Sequence, residues 1–270
     1  MKRRVEIILA TMNQKNMDIV HEMNVQSPIV IANQSGLYRY EEDDINGVRM
    51  LSTATKGVGI NRNLGLLLAK EEILLFADDD MVYYDGYEDI VREAFSELPT
   101  ADVIIFSFDM IRDGRKITTY LNKTKKLNMT NAFKYGACAI ALRNSCLKKA
   151  NIHFSTLFGG GTVYGSGEDS LFIRDCLKAG LHVYTHSSVI GKNVCKESTW
   201  FKGFNEKYFY DKGAWIACAF SKARYIMALY FTIRFRGKTE INFGQRYALM
   251  LAGMKGFSTV RSYDEWIAQR

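Results

Sequence analysis

Three adjacent carboxylates, Asp78-Asp79-Asp80, follow closely on the apolar run Ile73-Leu74-Leu75-Phe76. Neighbouring like charges repel, so the folded state gains nothing from this placement unless a cation compensates. A turn at the end of a strand can aim alternate side chains, here Asp78 and Asp80, into one cleft. Hard divalent ions such as Mg²⁺ or Mn²⁺ take oxygen ligands and bridge to phosphates. The competing reading is an acidic, solvated turn. The strand before it and the other polar clusters favour a site.

A second acidic pair, Glu168-Asp169, follows the glycine-rich approach Gly165-Ser166-Gly167 and opens a predicted helix. Glycine lets the backbone come close to a ligand. A carboxylate facing a partly dry pocket can take a proton from an attacking hydroxyl. Acidic residues also suit a helix N-terminus for dipole reasons alone, so the pair by itself fits both roles. A third cluster, Gly59-Ile60-Asn61-Arg62-Asn63, reads as a glycine-led helix start. Helix N-termini favour anions, and Arg62 adds a fixed charge. No Gly-Lys-Ser/Thr follows, so it is not a P-loop, and Arg62 would equally serve to pair a surface carboxylate.

The elements that must position these residues alternate. Val5 to Ala10, Ile29 to Ala32, Val48 to Leu51, Ile73 to Phe76 and Val103 to Phe108 read as strands, as do Gly136 to Arg143 and His182 to Thr185. Helical spacing is seen for Met17, Val20 and Met23, for Leu64, Leu67 and Leu68, and for Ile90 through Leu98. Short β-branched runs closed by turn residues are buried strands. Strands alternating with helices predict an α/β fold whose mostly parallel twisted sheet is flanked by helices. Ligands of such sheets sit beyond the carboxyl ends of the strands. Three polar clusters fall there: Thr11 to Gln14, Asn33 to Gly36 and Asp78 to Asp80.

The chain has 270 residues, enough to bury a full core, and an ordinary hydrophobic share of 47%. Its five cysteines are scattered singly, which disfavours structural zinc and fits a reducing cytosol. Glu6 interrupts the apolar N-terminal run, which therefore reads as a strand and not an export signal. A net charge of +7 points to anionic partners. From Cys195 onward the pattern becomes aromatic, basic and mainly helical, which predicts a boundary between residues 1–194 and 195–270.

The ordered set is more specific than any one motif. A first strand ending in Thr-x-Asn, a strand ending in Asn-Gln, Gly-x-Asn-Arg-Asn-x-Gly, Phe-Ala-Asp-Asp-Asp and Gly-Ser-Gly-Glu-Asp together resemble glycosyltransferase family 2, over roughly residues 4–190. Ser198-Thr199-Trp200-Phe201 and Lys207 to Gly213 look like the C-terminal part of bacterial surface-polysaccharide members. The resemblance implies a GT-A fold and an inverting transfer of one sugar from a nucleotide-sugar, a UDP-sugar first, to an acceptor hydroxyl. It implies that Thr11, Asn13, Asn33 and Gln34 line the nucleotide, with Asn33 departing from the family's usual Asp. Arg62, Asn63, Asp78 and Asp79 would lie against the donor. Asp78 and Asp80 match the DxD motif that holds Mn²⁺ or Mg²⁺ and the diphosphate. Asp169 matches the base, with Glu168 beside it, and His186 is a candidate further metal ligand. The Gln-x-x-Arg-Trp signature of processive synthases is absent, which implies addition of a single sugar.

Aromatic residues of the C-terminal part can stack on sugar faces, which makes Trp200, with Tyr164 from the loop before Glu168, candidate contacts of a glycan or lipid-linked glycan acceptor. An aromatic core explains the same letters. Ala214 to Arg236 is apolar with basic ends. It suits the anionic inner surface of the cell membrane, giving a cytoplasmic, peripheral protein; a buried helix pair with basic ends suits it as well. Two other readings compete: a second enzyme class, a nucleotidyltransferase, and a non-catalytic carbohydrate-binding relative. The first wants a basic triphosphate-cradling loop, for which only Lys2-Arg3-Arg4 stands near the N-terminus. The second has no need of intact acidic pairs. A nucleic-acid partner is not expected, because no recognised module is present and the positive charge lies away from the motifs.

Overall fold

The computed structural model describes residues 4–194 and 201–269. These fall into two compact units, one drawn from Met1–Phe154 and Asp169–Glu197, the other from Ser155–Glu168 and Ser198–Arg270. The sequence predicts one boundary after residue 194; the segment Ser155–Glu168 in addition groups with the C-terminal residues.

The first unit opens with β1 (Val5–Met12), α1 (Ile19–Glu22), β2 (Ile29–Gln34), β3 (Arg39–Asp43), β4 (Val48–Thr53), α2 (Val58–Leu68) and β5 (Ile73–Asp78). It continues with β6 (Met81–Tyr83), α3 (Tyr87–Glu97), β7 (Val103–Arg112), β8 (Arg115–Thr119), β9 (Lys125–Lys126), β10 (Ile140–Arg143) and α4 (Asn144–Ala150). α5 (Glu168–Lys178) and β11 (Val183–Val194) complete it. The sheet order is β3-β4-β2-β1-β5-β10-β7-β11-β6, with β8 on β7 and β9 on β11.

The run β4-β2-β1-β5 is parallel, as the strand–helix alternation predicts. Beyond β5 the sheet is mixed, because β10 runs antiparallel to both β5 and β7. The strand expected over 136–143 is confined to Ile140–Arg143, and no helical crossover is needed to bring in an antiparallel neighbour. A hairpin turn at Asp113-Gly114 joins β7 to β8; both residues have positive φ, the conformation that matches the twist of the flanking strands.

Alternating side chains of the central strands fill two cores. Ile7, Leu9, Ile31 and Leu75 pack in one core with Val91, Ala94 and Phe95 of α3. Ile8, Val30, Leu74 and Phe76 share the other with Leu66 of α2 and with Phe172 and Ile173 of α5. Burial on both faces explains why these strands read as near-continuous apolar runs. Glu6 is fully buried yet satisfied: it pairs with the buried Arg49 and accepts from the backbone N–H groups of Lys70 (2.8 Å) and Glu71 (3.1 Å).

In the second unit the helices are α6 (Glu206–Ala219), α7 (Arg224–Arg234), α8 (Phe243–Ser258) and α9 (Tyr263–Ile267). Asn205, Asn242 and Ser262 cap α6, α8 and α9, the last two through complete capping boxes. α6 and α8 touch backbone to backbone at two glycines. A Cβ on Gly213 would lie 2.7 Å from the carbonyl carbon and Cα of Met250, and one on Gly253 would lie 2.7 Å from the carbonyl carbon of Tyr210. The loop 155–168 supplies part of this core, with Phe158 and Tyr164 buried and in ring contact with Phe257. The Tyr164 hydroxyl donates to the Arg261 carbonyl oxygen at 3.3 Å, and that of Tyr210 donates to the same oxygen at 3.0 Å. Asp211 accepts from the Gly165 N–H (2.9 Å) and from Lys207 (2.8 Å). Among the described residues no helix is long and apolar enough to cross a membrane.

Candidate functional site at the carboxyl ends of β2, β1 and β5

The parallel register sets the strand ends level: Thr11 lies opposite Asn33, and Ala10 opposite Asp78. The three polar clusters that the sequence places at strand ends are thus neighbours on one edge of the first unit. α2 starts beside them. Its Arg62, only 2% exposed, forks between two carboxylates: one nitrogen donates to Asp169 Oδ1 at 2.9 Å and the other to Asp78 Oδ1 at 2.8 Å. Its guanidinium also lies 5.1 Å from the centre of the Phe154 ring. The planar fork of arginine is suited to holding two oxygens at fixed separation. Asp78 and Asp169 side chains stay 37% and 28% exposed, so each keeps an open face for a ligand.

The acidic triplet divides its labour. Asp79 accepts from the Thr11 hydroxyl at 2.7 Å, which ties the end of β1 to the turn after β5. Asp80 is the buried member, and burial, followed by the charge of Asp78, pushes its carboxyl up to about 6. The Asn193 side chain, on β11, hydrogen-bonds Asp80, yet Asp80 Oδ1 is buried without a partner. Asn193 gives no signal in the sequence, because it sits inside a strand and reaches Asp80 only through the pairing of β11 with β6.

Several residues that the sequence assigns to the nucleotide instead build the platform. Asn33 is buried; its Oδ1 accepts from the Gln14 N–H at 3.0 Å, and its amide donates to the Gln14 carbonyl and to Ser52 Oγ, both at 2.9 Å. An ionised Asp cannot donate to a carbonyl, so the amide suits this position. Gln34 accepts from the Gly57 N–H at 2.8 Å and so fixes the start of α2. Asn63 makes a two-way bond with the Phe154 backbone (2.9 and 2.8 Å), and Asn61 donates to the Thr11 carbonyl at 3.1 Å. Asn13 takes a left-handed φ of 60° and is exposed at the site's rim, its N–H donating to the Gln34 carbonyl at 2.9 Å.

Two expected contacts, His186 and Tyr164, fall elsewhere. His186 lies on β11 seven residues before Asn193, roughly 20 Å along a strand; it is buried, with Nε2 3.3 Å from Glu97 of α3 and its ring against Phe106. It is a packed structural histidine and not a neighbour of Asp80. Tyr164 is fully buried in the core of the second unit and cannot stack on a sugar. Trp200 lies outside the described residues. Glu168, buried beside Asp169 in sequence, is the last residue of the second unit's inserted loop.

The raised Asp80 carboxyl gives a pH signature for the metal-free protein. A folded-state value near 6, above the unfolded value, means that its contribution to stability is full at pH below about 4 and is lost as pH rises through 6. Asp80→Asn removes that loss. The variant is expected to melt above the parent at pH 8 and to converge with it near pH 4; a melting difference independent of pH would show that Asp80 does not titrate this way.

No protein-family model matches the chain, and no curated protein matches it either. Solved structures do. The architecture is a GT-A-like fold, a mixed sheet flanked by helices. TarS of S. aureus, as its 1–349 fragment in complex with UDP-GlcNAc, is similar with a TM-score of 0.65 and 15% identity, over 94% of this chain and 81% of that one. The same fragment with UDP gives 0.60, 15% identity, and coverages of 99% and 92%. Against a longer TarS structure the score is 0.63 at 15% identity, and this chain spans half of that length.

Proposed function

We propose that this protein is a nucleotide-sugar-dependent glycosyltransferase that adds a single sugar to an acceptor hydroxyl in the synthesis of a bacterial cell-surface polysaccharide. The observation that carries the reading is the Arg62 fork, which brings a donor-side carboxylate, Asp78, and a base candidate, Asp169, together at the strand ends. The likeness to TarS, whose structures hold UDP-GlcNAc and UDP, supports a uridine nucleotide as the donor's carrier.

The residues present fit a hard cation. Asp80 has an orphaned buried oxygen, and its proton affinity is raised by burial first and then by the charges of Asp78 and Asp79. Among the described residues no three His, Cys, Asp or Glu side chains are arranged to hold an ion alone, so phosphate oxygens would complete the ligand set. Asp78 and Asp80 would hold Mn²⁺ or Mg²⁺ with the diphosphate, and the ion would supply charge neutralisation for the leaving group.

In the transfer, the acceptor oxygen forms a bond to the anomeric carbon as the bond from that carbon to the phosphate oxygen breaks. The electron pair leaves with the nucleoside diphosphate, and the acceptor proton passes to Asp169. A single displacement of this kind inverts the anomeric centre. Arg62 contributes positive charge beside the departing diphosphate and orients Asp169. Thr11, held by Asp79, marks the nucleoside end of the site.

The test is a thermal titration with UDP, GDP, CMP and dTDP, with and without Mn²⁺. A manganese-dependent rise in Tm with one nucleotide is expected, of several degrees at ligand well above Kd, and its loss in Asp80→Asn. An unchanged shift in that variant would remove Asp80 from the metal site. No shift with any nucleotide would favour a non-catalytic carbohydrate binder.

A further inference from the structure

Helix α7 is apolar on two faces, and only one of them is packed. Ala228 and Thr232 are fully buried, Thr232 Oγ lies 3.8 Å from Met250 Sδ of α8, and Phe235 is buried just past the helix end. The other face carries Tyr225, Ile226, Leu229, Tyr230 and Ile233, which are 56%, 73%, 44%, 49% and 56% exposed. At about 100° per residue these five fall within an arc of roughly 140° that excludes the buried Ala228 and Thr232. A soluble helix turns polar residues to water on that side; α7 has none along this arc.

The charges identify what would cover it. Lys222 and Arg224 precede or open the helix, and Arg234, Arg236 and Lys238 end or follow it; all are exposed. From Ala219 to Thr239 the sequence has no Asp or Glu. Bulky apolar side chains on the exposed arc, with cations at both ends and tyrosines among them, match a helix lying in the plane of a lipid headgroup layer. There the arc enters the acyl boundary while Lys and Arg stems extend to anionic headgroups. A second copy of the chain is a poorer occupant. Two such helices face to face would bring basic ends together without a carboxylate to offset them.

We propose that α7 is a membrane-surface docking element for bilayers rich in anionic lipid, with the apolar arc Tyr225, Ile226, Leu229, Tyr230 and Ile233 inserted and the flanking cations set on the headgroups. The inference stands apart from the transferase reading, since it needs no donor, metal or acceptor.

Sedimentation of the full chain with vesicles of phosphatidylglycerol and phosphatidylcholine, against phosphatidylcholine alone, tests it. Binding is expected to the anionic vesicles and to weaken with salt. The double variant Ile226→Glu/Ile233→Glu should lose binding by roughly a hundredfold or more while its Tm stays at the parent value, because both side chains already face water. Arg234→Gln/Arg236→Gln should weaken binding about fivefold per charge removed, on anionic vesicles alone. Three outcomes overturn the proposal: absence of vesicle binding by the folded parent at low salt, equal binding by the Ile226→Glu/Ile233→Glu variant, or a parent dimer in sedimentation velocity that this variant dissociates. The last would assign the arc to a second copy.

Discussion

An Asp169→Asn variant is expected to transfer sugar about 10² to 10⁴ times more slowly than the parent while still binding the nucleotide-sugar. The amide is nearly isosteric, and its oxygen can still accept from Arg62, so the fork to Asp78 survives. What disappears is the acceptor for the proton. The proposed mechanism therefore requires kcat to collapse with donor Kd changed by no more than a few-fold. Calorimetric titration of the donor alongside steady-state rates separates the two quantities. Parallel loss of both would mean that Asp169 serves Arg62 and the donor side, and that the proton goes elsewhere. Arg62→Met makes a useful contrast, because it takes a buried charge from between two carboxylates and should impair donor binding as well as the rate.

A Gly253→Ala variant should be the most damaging small substitution in the second unit, at about 3 kcal/mol or more. The added methyl meets the Tyr210 carbonyl group and sits 3.1 Å from the Ala214 nitrogen. Both are main-chain atoms of α6, so no rotamer change relieves the clash, and the two helices must separate. Gly213→Ala meets the Met250 main chain in the same way from the other side. Gly36→Ala is the control, with nothing within 4 Å of its added Cβ; it should stay within a few tenths of a kcal/mol or gain slightly from reduced unfolded-state freedom. Urea unfolding of the three variants checks this, and equal midpoints for Gly253→Ala and Gly36→Ala would refute the close crossing of α6 and α8.

Much of the parallel half was readable in the sequence because its strands follow one pattern: apolar on both faces through their middles, with the polar clusters where the strand stops. Thr11, Asn33 and Asp78 mark those stops, and the parallel register then puts them side by side without further information. β3 escapes the same rule. Its Arg-Tyr-Glu-Glu-Asp is polar because it is an edge strand, where charge discourages pairing with another chain. The full length of β11 escapes too, since residues 186–194 alternate irregularly around two register shifts with β7.

Residue roles were less legible than residue places. Asn33 and Gln34 stand at the predicted site edge, yet their side chains are spent on Gln14, Ser52 and Gly57. No sequence pattern separates an amide that meets a ligand from one that meets the backbone. Arg62 is the reverse case: a surface pairing was an open reading from spacing, and burial between Asp78 and Asp169 gives it a central position. His186 and Tyr164 have the right chemistry, but their neighbours, Glu97 and Phe106 for one, Phe158 and Phe257 for the other, are packing partners that only tertiary structure brings together.

The loop 155–168 also sets an order of events during synthesis. The first unit has all its strands once β11 has emerged, but the inserted loop belongs to a core whose remaining pieces are made last. Tyr164 waits for the Arg261 carbonyl, 97 residues further along. At typical ribosomal speeds that interval is roughly 5 to 20 s, long compared with collapse of the finished unit. Throughout it Phe158 and Tyr164 lack the Phe257 ring and the Arg261 carbonyl that they meet in the finished unit, so the nascent chain displays an aromatic segment shortly before Asp169. The loop is thus the stretch on which a chaperone would act before the second unit is complete.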